Sequence, residues 1–219
     1  MSKKQYVVIG LGRFGTSIAE TLYQLGNDVL VIDHDDERIQ LVANNVTHAI
    51  QADATDEIAL REVGLRNFDV GIVSIGSDIQ ASIMATILLK ELGLKMVVTK
   101  ATNSMHAKVL TKVGADKVIF PEKDMGIRVA HGLAYSNVLE YIELSPKHSL
   151  AEFRCPRDWW GRTLKEINVR IIYGINVIAI KRDDEVDVAP SANEVLNEDD
   201  VIVAIGSIED LTKFENNIK

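Results

Sequence analysis

The sequence predicts an α/β protein, with a Rossmann-like doubly wound parallel sheet followed by a second, smaller α+β domain. Three observations carry this. Short apolar, β-branched runs alternate with helical patterns through the first two thirds of the 219 residues. The first run, Tyr6-Val7-Val8-Ile9, enters Gly10-Leu11-Gly12-Arg13-Phe14-Gly15, the G-x-G-x-x-G spacing that turns a strand into a helix. Near residue 145 the texture changes from long helices to short strands and turns.

In the first region the patterns predict strands at 6–10, 28–33, 47–52, 69–75, 95–100 and 117–120. Helices fall between them, near 14–25, 35–44, 56–63, 78–92 and 104–113. Continuous apolar strands suit a sheet covered on both faces. Right-handed crossovers then bring the carboxyl ends of the strands to one rim. Pro121-Glu122-Lys123-Asp124 opens another helix, since proline suits the first turn and acids complement the helix dipole. That helix is predicted to reach about Tyr135 and to lead into the run from Asn137 to Leu144. Ser145-Pro146-Lys147-His148 marks the expected boundary, giving domains 1–144 and 145–219. The second domain is read as strands at 150–154, 175–182 and 200–205, with helices near 163–168 and 208–216. Its turn chemistry lies at Arg182-Asp183-Asp184-Glu185 and Asn197-Glu198-Asp199-Asp200.

Composition narrows the function. A 47% hydrophobic share supports real cores, and only 5% aromatic residues makes them aliphatic. The net charge of −8, with no basic tail or stripe, argues against direct nucleic-acid binding. No apolar run is long enough to span a bilayer, which argues against direct membrane insertion. Met1-Ser2-Lys3-Lys4-Gln5 lacks the apolar centre of a signal peptide, and Cys155 is the one cysteine. A cytoplasmic location is the expectation.

The glycine loop predicts nucleotide binding. Gly10 permits the tight turn, Gly12 lets backbone approach a pyrophosphate, and Gly15 lets helix and strand pack closely. The helix N-terminus offers N–H groups to phosphate. Asp33, ending the second strand, is placed to accept from ribose hydroxyls. Arg13 sits where the helix dipole disfavours a cation, so it either meets a terminal phosphate, one option being a second subunit's, or is simply solvated. Asp53 and the backbone of Ala54 follow the third strand, where base and ribose would lie; a helix cap at Thr55 or Asp56 is the alternative. Gly76, after Ile75, allows close passage of the chain by phosphates. Lys100 is a phosphate ligand or an exposed lysine, and Glu122 a cation ligand or a dipole partner. The helix 78–92 carries Ala81, Met84, Ala85, Leu88 and Leu92 on one face and Ile79, Ile83, Ile87 and Leu89 elsewhere, which predicts burial on more than one side and an oligomer; an especially well-buried internal helix is the alternative. Motifs for serine hydrolysis, zinc proteolysis or a P-loop are lacking, and the five histidines are scattered.

Four segments together resemble the RCK (regulator of potassium conductance) family. They are Val8 to Gly15, Ile75-Gly76 with Ile79-Gln80-Ala81-Ser82, Gly114-Ala115-Asp116, and Pro121-Glu122-Lys123-Asp124-Met125. Within it the chain looks most like the cytosolic regulatory subunits of bacterial Ktr potassium-uptake systems, over nearly its whole length. Related Trk regulators carry two such units in tandem, and this chain carries one. The resemblance implies a regulator rather than an enzyme: dimers that build an octameric ring on the cytoplasmic face of a membrane potassium-channel subunit of KtrB or KtrD type. It implies ATP and ADP competing for the glycine loop, with ATP favouring conduction. By that likeness Gly10, Gly12, Arg13, Phe14, Gly15, Ile75, Gly76 and Lys100 hold the nucleotide. Arg13 reaches the terminal phosphate of the neighbour's nucleotide, Asp33 holds ribose, and Asp53 and Ala54 line the base. Glu122 holds Mg²⁺, Ca²⁺ or Na⁺ between the two nucleotides of a dimer, and the helix from 121 is the crossover that joins subunits.

The C-terminal module resembles the second RCK domain, several of which bind cyclic di-AMP at their dimer interface. The resemblance assigns Leu164, Asn168, Arg170, Ile171, Ile175, Asn176 and Pro190 to that ligand, with Arg170 on phosphate, Leu164 and Ile175 on adenine and Asn176 on a polar edge. Ile171-Ile172 stand where a small residue and a lysine would be expected, and a dimer interface without ligand is the alternative. Trp159-Trp160 packs within the module or at a subunit contact. A competing reading is an NAD(H)-dependent oxidoreductase, which the same glycines and Asp33 would suit but the small C-terminal module would not. A redox-sensing repressor would need a basic helix-turn-helix that the sequence lacks.

Overall fold

A computed structural model describes residues 3–134 and 138–217. The chain divides into two compact units, Met1–Pro121 and Glu122–Lys219.

The first unit is β1 (Gln5–Ile9), α1 (Arg13–Gln24), β2 (Asp28–Asp33), α2 (Asp36–Val42), β3 (His48–Gln51), α3 (Glu57–Glu62), β4 (Val70–Val73), α4 (Ile79–Glu91), β5 (Met96–Lys100), α5 (Ser104–Lys112) and β6 (Lys117–Ile119). The strands are parallel in the order β3-β2-β1-β4-β5-β6. The order reverses between β1 and β4, which opens a crevice at the carboxyl ends of the strands. Successive residues point to opposite faces. Val7, Ile9, Leu30 and Ile32 enter one core with Leu60, Leu88 and Leu89, while Val8, Val29 and Val31 enter another with Ala19, Ile39 and Val42. Burial on both faces is why these strands read as unbroken apolar runs.

Helix starts follow side-chain chemistry. Asp35, Asp56, Asp78 and Asn103 accept from backbone N–H groups at the starts of α2, α3, α4 and α5. The α1 start differs: Gly12 is its cap, without a side-chain bond, and no acid lies in its first turn. Gly114-Ala115-Asp116 ends as a structural clasp, since Asp116 accepts from Lys90 at 2.9 Å and from Val97 N–H at 2.7 Å; the Lys90 bond above all holds its carboxyl below the usual range. On α4 the buried side is Ser82, Ala85, Thr86, Leu88 and Leu89, whereas Met84 and Ile79 face outward. Met84 and Ile79, one from each of the two apolar faces read from the sequence, are thus exposed in this chain.

The second unit holds α6 (Pro121–Ala134, of which Pro121 closes the first unit), β7 (Val138–Ser145), β8 (His148–Arg154), α7 (Leu164–Ile167), α8 (Val169–Tyr173), β9 (Asn176–Arg182), β10 (Glu185–Asp187), β11 (Val201–Ser207) and α9 (Ile208–Asn217). Its antiparallel sheet has the order β10-β9-β11-β8-β7. The expected boundary at 144/145 is corrected here, because it falls inside a hairpin. β7 pairs with β8, and Ser145 Oγ accepts from the N–H groups of Lys147 and His148 to make the turn. The expected helix end at Tyr135 and run start at Asn137 lie outside the described residues. α6 is tied to β7 by Arg128 donating to Glu140 at 2.7 Å and by His131 stacked on Tyr141 at 3.8 Å. It belongs with this sheet, not with the first unit.

An aromatic cluster fills the second core. Trp159 is 1% exposed and lies 5.4 Å from Phe214, 6.0 Å from Phe153 and 5.8 Å from Tyr173. Trp160 is only half-buried and donates its indole N–H to Cys155 O. The long segment before β11 is held by Arg182, which donates to Asp200, Glu194 and the Val195 carbonyl. The bonds to Asp200 and Glu194 push the guanidinium higher still. Burial pushes the Cys155 thiol up to about 12, so it stays protonated and inert.

Candidate functional site

Each glycine of the loop is required for a different reason. Gly10 has φ +92°, and a Cβ there would lie 3.1 Å from Ile75 backbone N. At Gly15 a Cβ would stand 2.0 Å from the Gly10 carbonyl oxygen and 2.8 Å from Ser74 Oγ. Gly12 faces open space, with nothing within 4 Å of its would-be Cβ. Open backbone at the uncapped start of α1 is the arrangement that receives a phosphate.

Asp33 is 4% exposed and already engaged. Its Oδ2 accepts from Leu11 N–H at 2.5 Å and its Oδ1 from Asp35 N–H at 3.0 Å. The carboxylate thus pins the glycine loop to the end of β2. This bond across twenty-two residues is invisible to local pattern. Ribose hydroxyls would share the remaining lone pairs of the same oxygens.

Arg13, the first residue of α1, is exposed, and Phe14 is half-buried. Asp53 Oδ1 accepts from Thr55 N–H at 2.8 Å and from the Thr55 hydroxyl at 2.7 Å. These bonds hold its carboxyl below the usual range. The helix cap is Asp56, which leaves Asp53 exposed on the rim. Ala54 buries its methyl in the core, so only its backbone can meet a ligand.

Across the crevice, Ile75 is half-buried beside Gly10, and Lys100 Nζ lies 3.4 Å from the would-be Cβ of Gly76. Thr102 Cγ2 lies 3.8 Å from the same point. His106 is buried under Thr102, its Nδ1 3.3 Å from Thr102 Oγ1, and burial holds the imidazole neutral by lowering its pKa. Nothing in the local sequence pattern marks Thr102, and His106 is one of five scattered histidines. The available signal was Asn103, the cap that orients α5 and accepts from His106 N–H. Glu122 is exposed in the first turn of α6. Among the described residues no three His, Cys, Asp or Glu side chains gather to hold a metal, and no helix is long and apolar enough to cross a membrane.

In the second unit the expected helix at 163–168 is α7, and a second short helix, α8, follows it at once. Thr163 and Glu166 form a capping box for α7. Asn168, in the left-handed region at φ +53°, then breaks the helix, and its carbonyl accepts from Ile171 and Ile172 N–H. Asn168, Arg170, Ile171 and Asn176 are exposed; Leu164 and Pro190 are half-buried. Ile171 is 79% and Ile172 61% exposed. Ile175 is fully buried, packed against Gly206 in the core, so its side chain is not presented to an adenine as expected. Tight packing under β11 decides this.

The TrkA-N domain family matches residues 6–121, and the TrkA-C domain family residues 150–219. The chain is 47% identical to the Ktr system potassium uptake protein C of Bacillus subtilis over 216 residues, covering 99% of this chain and 98% of that protein. It is 43% identical to Ktr system potassium uptake protein A of the same organism, covering 99% and 97%. Among solved structures the GsuK channel superposes with a TM-score of 0.71 at 16% identity, over 99% of this chain and 40% of that one, which shows a shared fold. The chain belongs to the RCK regulatory subunits of Ktr potassium-uptake systems, built from one TrkA-N and one TrkA-C domain, and is a regulator rather than an enzyme.

Proposed function

We propose that this chain gates potassium uptake by sensing the ATP-to-ADP ratio at the glycine loop and cyclic di-AMP in the C-terminal module. The observation that carries the nucleotide reading is the open face of Gly12 at the uncapped start of α1, in a loop preset by the Leu11–Asp33 bond. Gly10, Gly12 and Gly15 present backbone to phosphates, with Phe14 and Ile75 as flanking walls. Lys100, beside Gly76, adds a cation. Asp33 takes ribose, and Asp53 with the Ala54 backbone takes the base. Glu122 supplies one hard oxygen donor to Mg²⁺, Ca²⁺ or Na⁺, a chemistry that suits a carboxylate working alongside phosphate oxygens. Dimers assemble into an octameric ring that docks on a membrane channel subunit of KtrB or KtrD type. Gating is population shift, so ATP must bind one ring state better than ADP does.

For cyclic di-AMP, the supporting features are the exposed Arg170 and Asn176 flanking the exposed Ile171 and Ile172. Asn168, Leu164 and Pro190 complete the proposed contact set. Ile175 acts in it only as the core residue that fixes the start of β9.

Arg13 reads the third phosphate, supplied by a neighbouring subunit. Calorimetric titration of Arg13→Ala should show ATP weakened at least about ten-fold more than ADP, which is about 1.4 kcal/mol of lost discrimination. Equal weakening of both nucleotides would remove Arg13 from that role.

A further inference from the structure

Glu215, on α9, is 6% exposed, and both its carboxylate oxygens are buried without a hydrogen-bond partner. Its helix packs on β11, α8 and β8. β11 carries no titratable side chain; α8 brings Arg170 and Tyr173, β8 brings His148, Glu152 and Arg154, and the turn at Trp159 brings the exposed Arg157 and Asp158. Glu152 is held by Lys181 and His148 lies against Ser145. On α9 itself, Glu209 pairs with Lys213, and Asp210 accepts from Ser207. Among the described residues none of these makes an ion pair or hydrogen bond with Glu215. An unpaired buried carboxylate is so costly that the group takes up a proton instead. Because the oxygens are covered by this chain's own atoms, neither solvent nor a docking partner reaches them while α9 stays in place.

α9 is mechanically joined to α8. Phe214, next to Glu215, packs edge-on to Tyr173, the last residue of α8, at 5.1 Å and also against Trp159 at 5.4 Å. Asp210 lies against Gly174, where a Cβ would be 2.9 Å from its Cγ. We infer that the C-terminal module is a proton-linked element: Glu215 is protonated when α9 is docked, and ionisation loosens α9 together with α8. Since α8 carries Arg170 and Ile171, weaker cyclic di-AMP binding at higher pH follows if the reading of α8 given above holds; the loosening does not rest on it.

Burial raises the Glu215 carboxyl from an ordinary 4.5 to about 7. A raised folded value means that the stabilisation is fully present below the unfolded value and is lost as pH rises through the folded one. The experiment compares the full-length wild type with Glu215→Gln from about pH 5 to about pH 8, without ligand. The wild-type unfolding midpoint should fall by several degrees relative to the variant across that window. The near-ultraviolet signal of Trp159 should titrate near neutrality in the wild type alone. Parallel curves for the two proteins overturn the proposal. Should Glu215→Gln fail to fold, the carboxyl ¹³C resonance of Glu215 in the wild type decides: titration near the ordinary glutamate value overturns it, and titration near neutrality supports it.

Discussion

Gly15→Ala should cost about 3 kcal/mol or more of the first unit's stability and abolish nucleotide binding, whereas Gly12→Ala should lose the ligand and keep the fold. At Gly15 the new methyl meets a backbone carbonyl at 2.0 Å. No rotamer relieves a backbone collision, so either α1 leaves β1 or the Gly10 turn is rebuilt, and overpacking of this kind lies at the top of its usual range. Both routes break the Leu11–Asp33 bond on which the loop depends. At Gly12 a methyl projects into open space from ordinary backbone at φ −69°. The fold loses about 1 kcal/mol or less, because alanine is a poorer cap than glycine. The ligand loses the close approach of backbone to phosphate, and its affinity should fall at least about ten-fold. Urea unfolding followed by far-ultraviolet circular dichroism, with calorimetric titration of ADP, separates the two effects. Equal stability losses in the two variants would contradict the distinct roles given to these glycines.

Trp159→Ala should be the largest stability loss in the second unit, about 3–5 kcal/mol, with Trp160→Ala far smaller. The Trp159 ring is buried against Phe153, Phe214 and Tyr173, and so touches β8, α9 and α8 at once. Its removal leaves a cavity where three elements meet. Trp160 is half-buried, with Arg157 5.8 Å from its ring centre, and contributes its bond to Cys155 O. Both tryptophans of the chain lie in the second unit, so in each single variant the remaining indole reports that unit's unfolding. A Trp160→Ala loss matching that of Trp159→Ala would place the weight of the core elsewhere.

The parallel sheet was legible because its strands are buried on both faces and therefore written as continuous apolar runs between capped helices. The second unit was less so. β10, Glu185-Val186-Asp187, is an exposed edge strand with no apolar signature, although the turn before it was read correctly from Arg182-Asp183-Asp184-Glu185. β7 breaks strict alternation with bulges, and its Ser-Pro turn resembles a linker more than a hairpin. The expected helix at 163–168 matches α7 but stops short of α8, a five-residue helix that begins straight after Asn168 in the left-handed region and leaves too short a pattern to read.

The rim of the crevice was legible by position: Gly10, Gly12, Gly15, Asp53 and Gly76 follow strand ends, and Lys100 is the last residue of β5. What each side chain is already doing was not. The anchoring of Leu11 by Asp33, the turn Asp53 makes with Thr55, and His106 beneath Thr102 are contacts fixed by the folded chain. Ile175 shows the opposite case, an expected ligand contact that packing turns inward. The ligand's identity is a separate matter, because the same glycines and Asp33 suit ATP, ADP or NAD.

A thermal-shift panel of ATP, ADP, NAD⁺, NADH and cyclic di-AMP, with and without Mg²⁺ or Ca²⁺, tests the central claim most directly. A ligand at about a hundred times its dissociation constant adds about 2.7 kcal/mol, which moves the midpoint by several degrees. The account predicts stabilisation by ATP and by ADP that differs between them and depends on the cation, with a separate shift from cyclic di-AMP. Stabilisation by NAD⁺ or NADH alone, with no response to ATP or ADP, would contradict it.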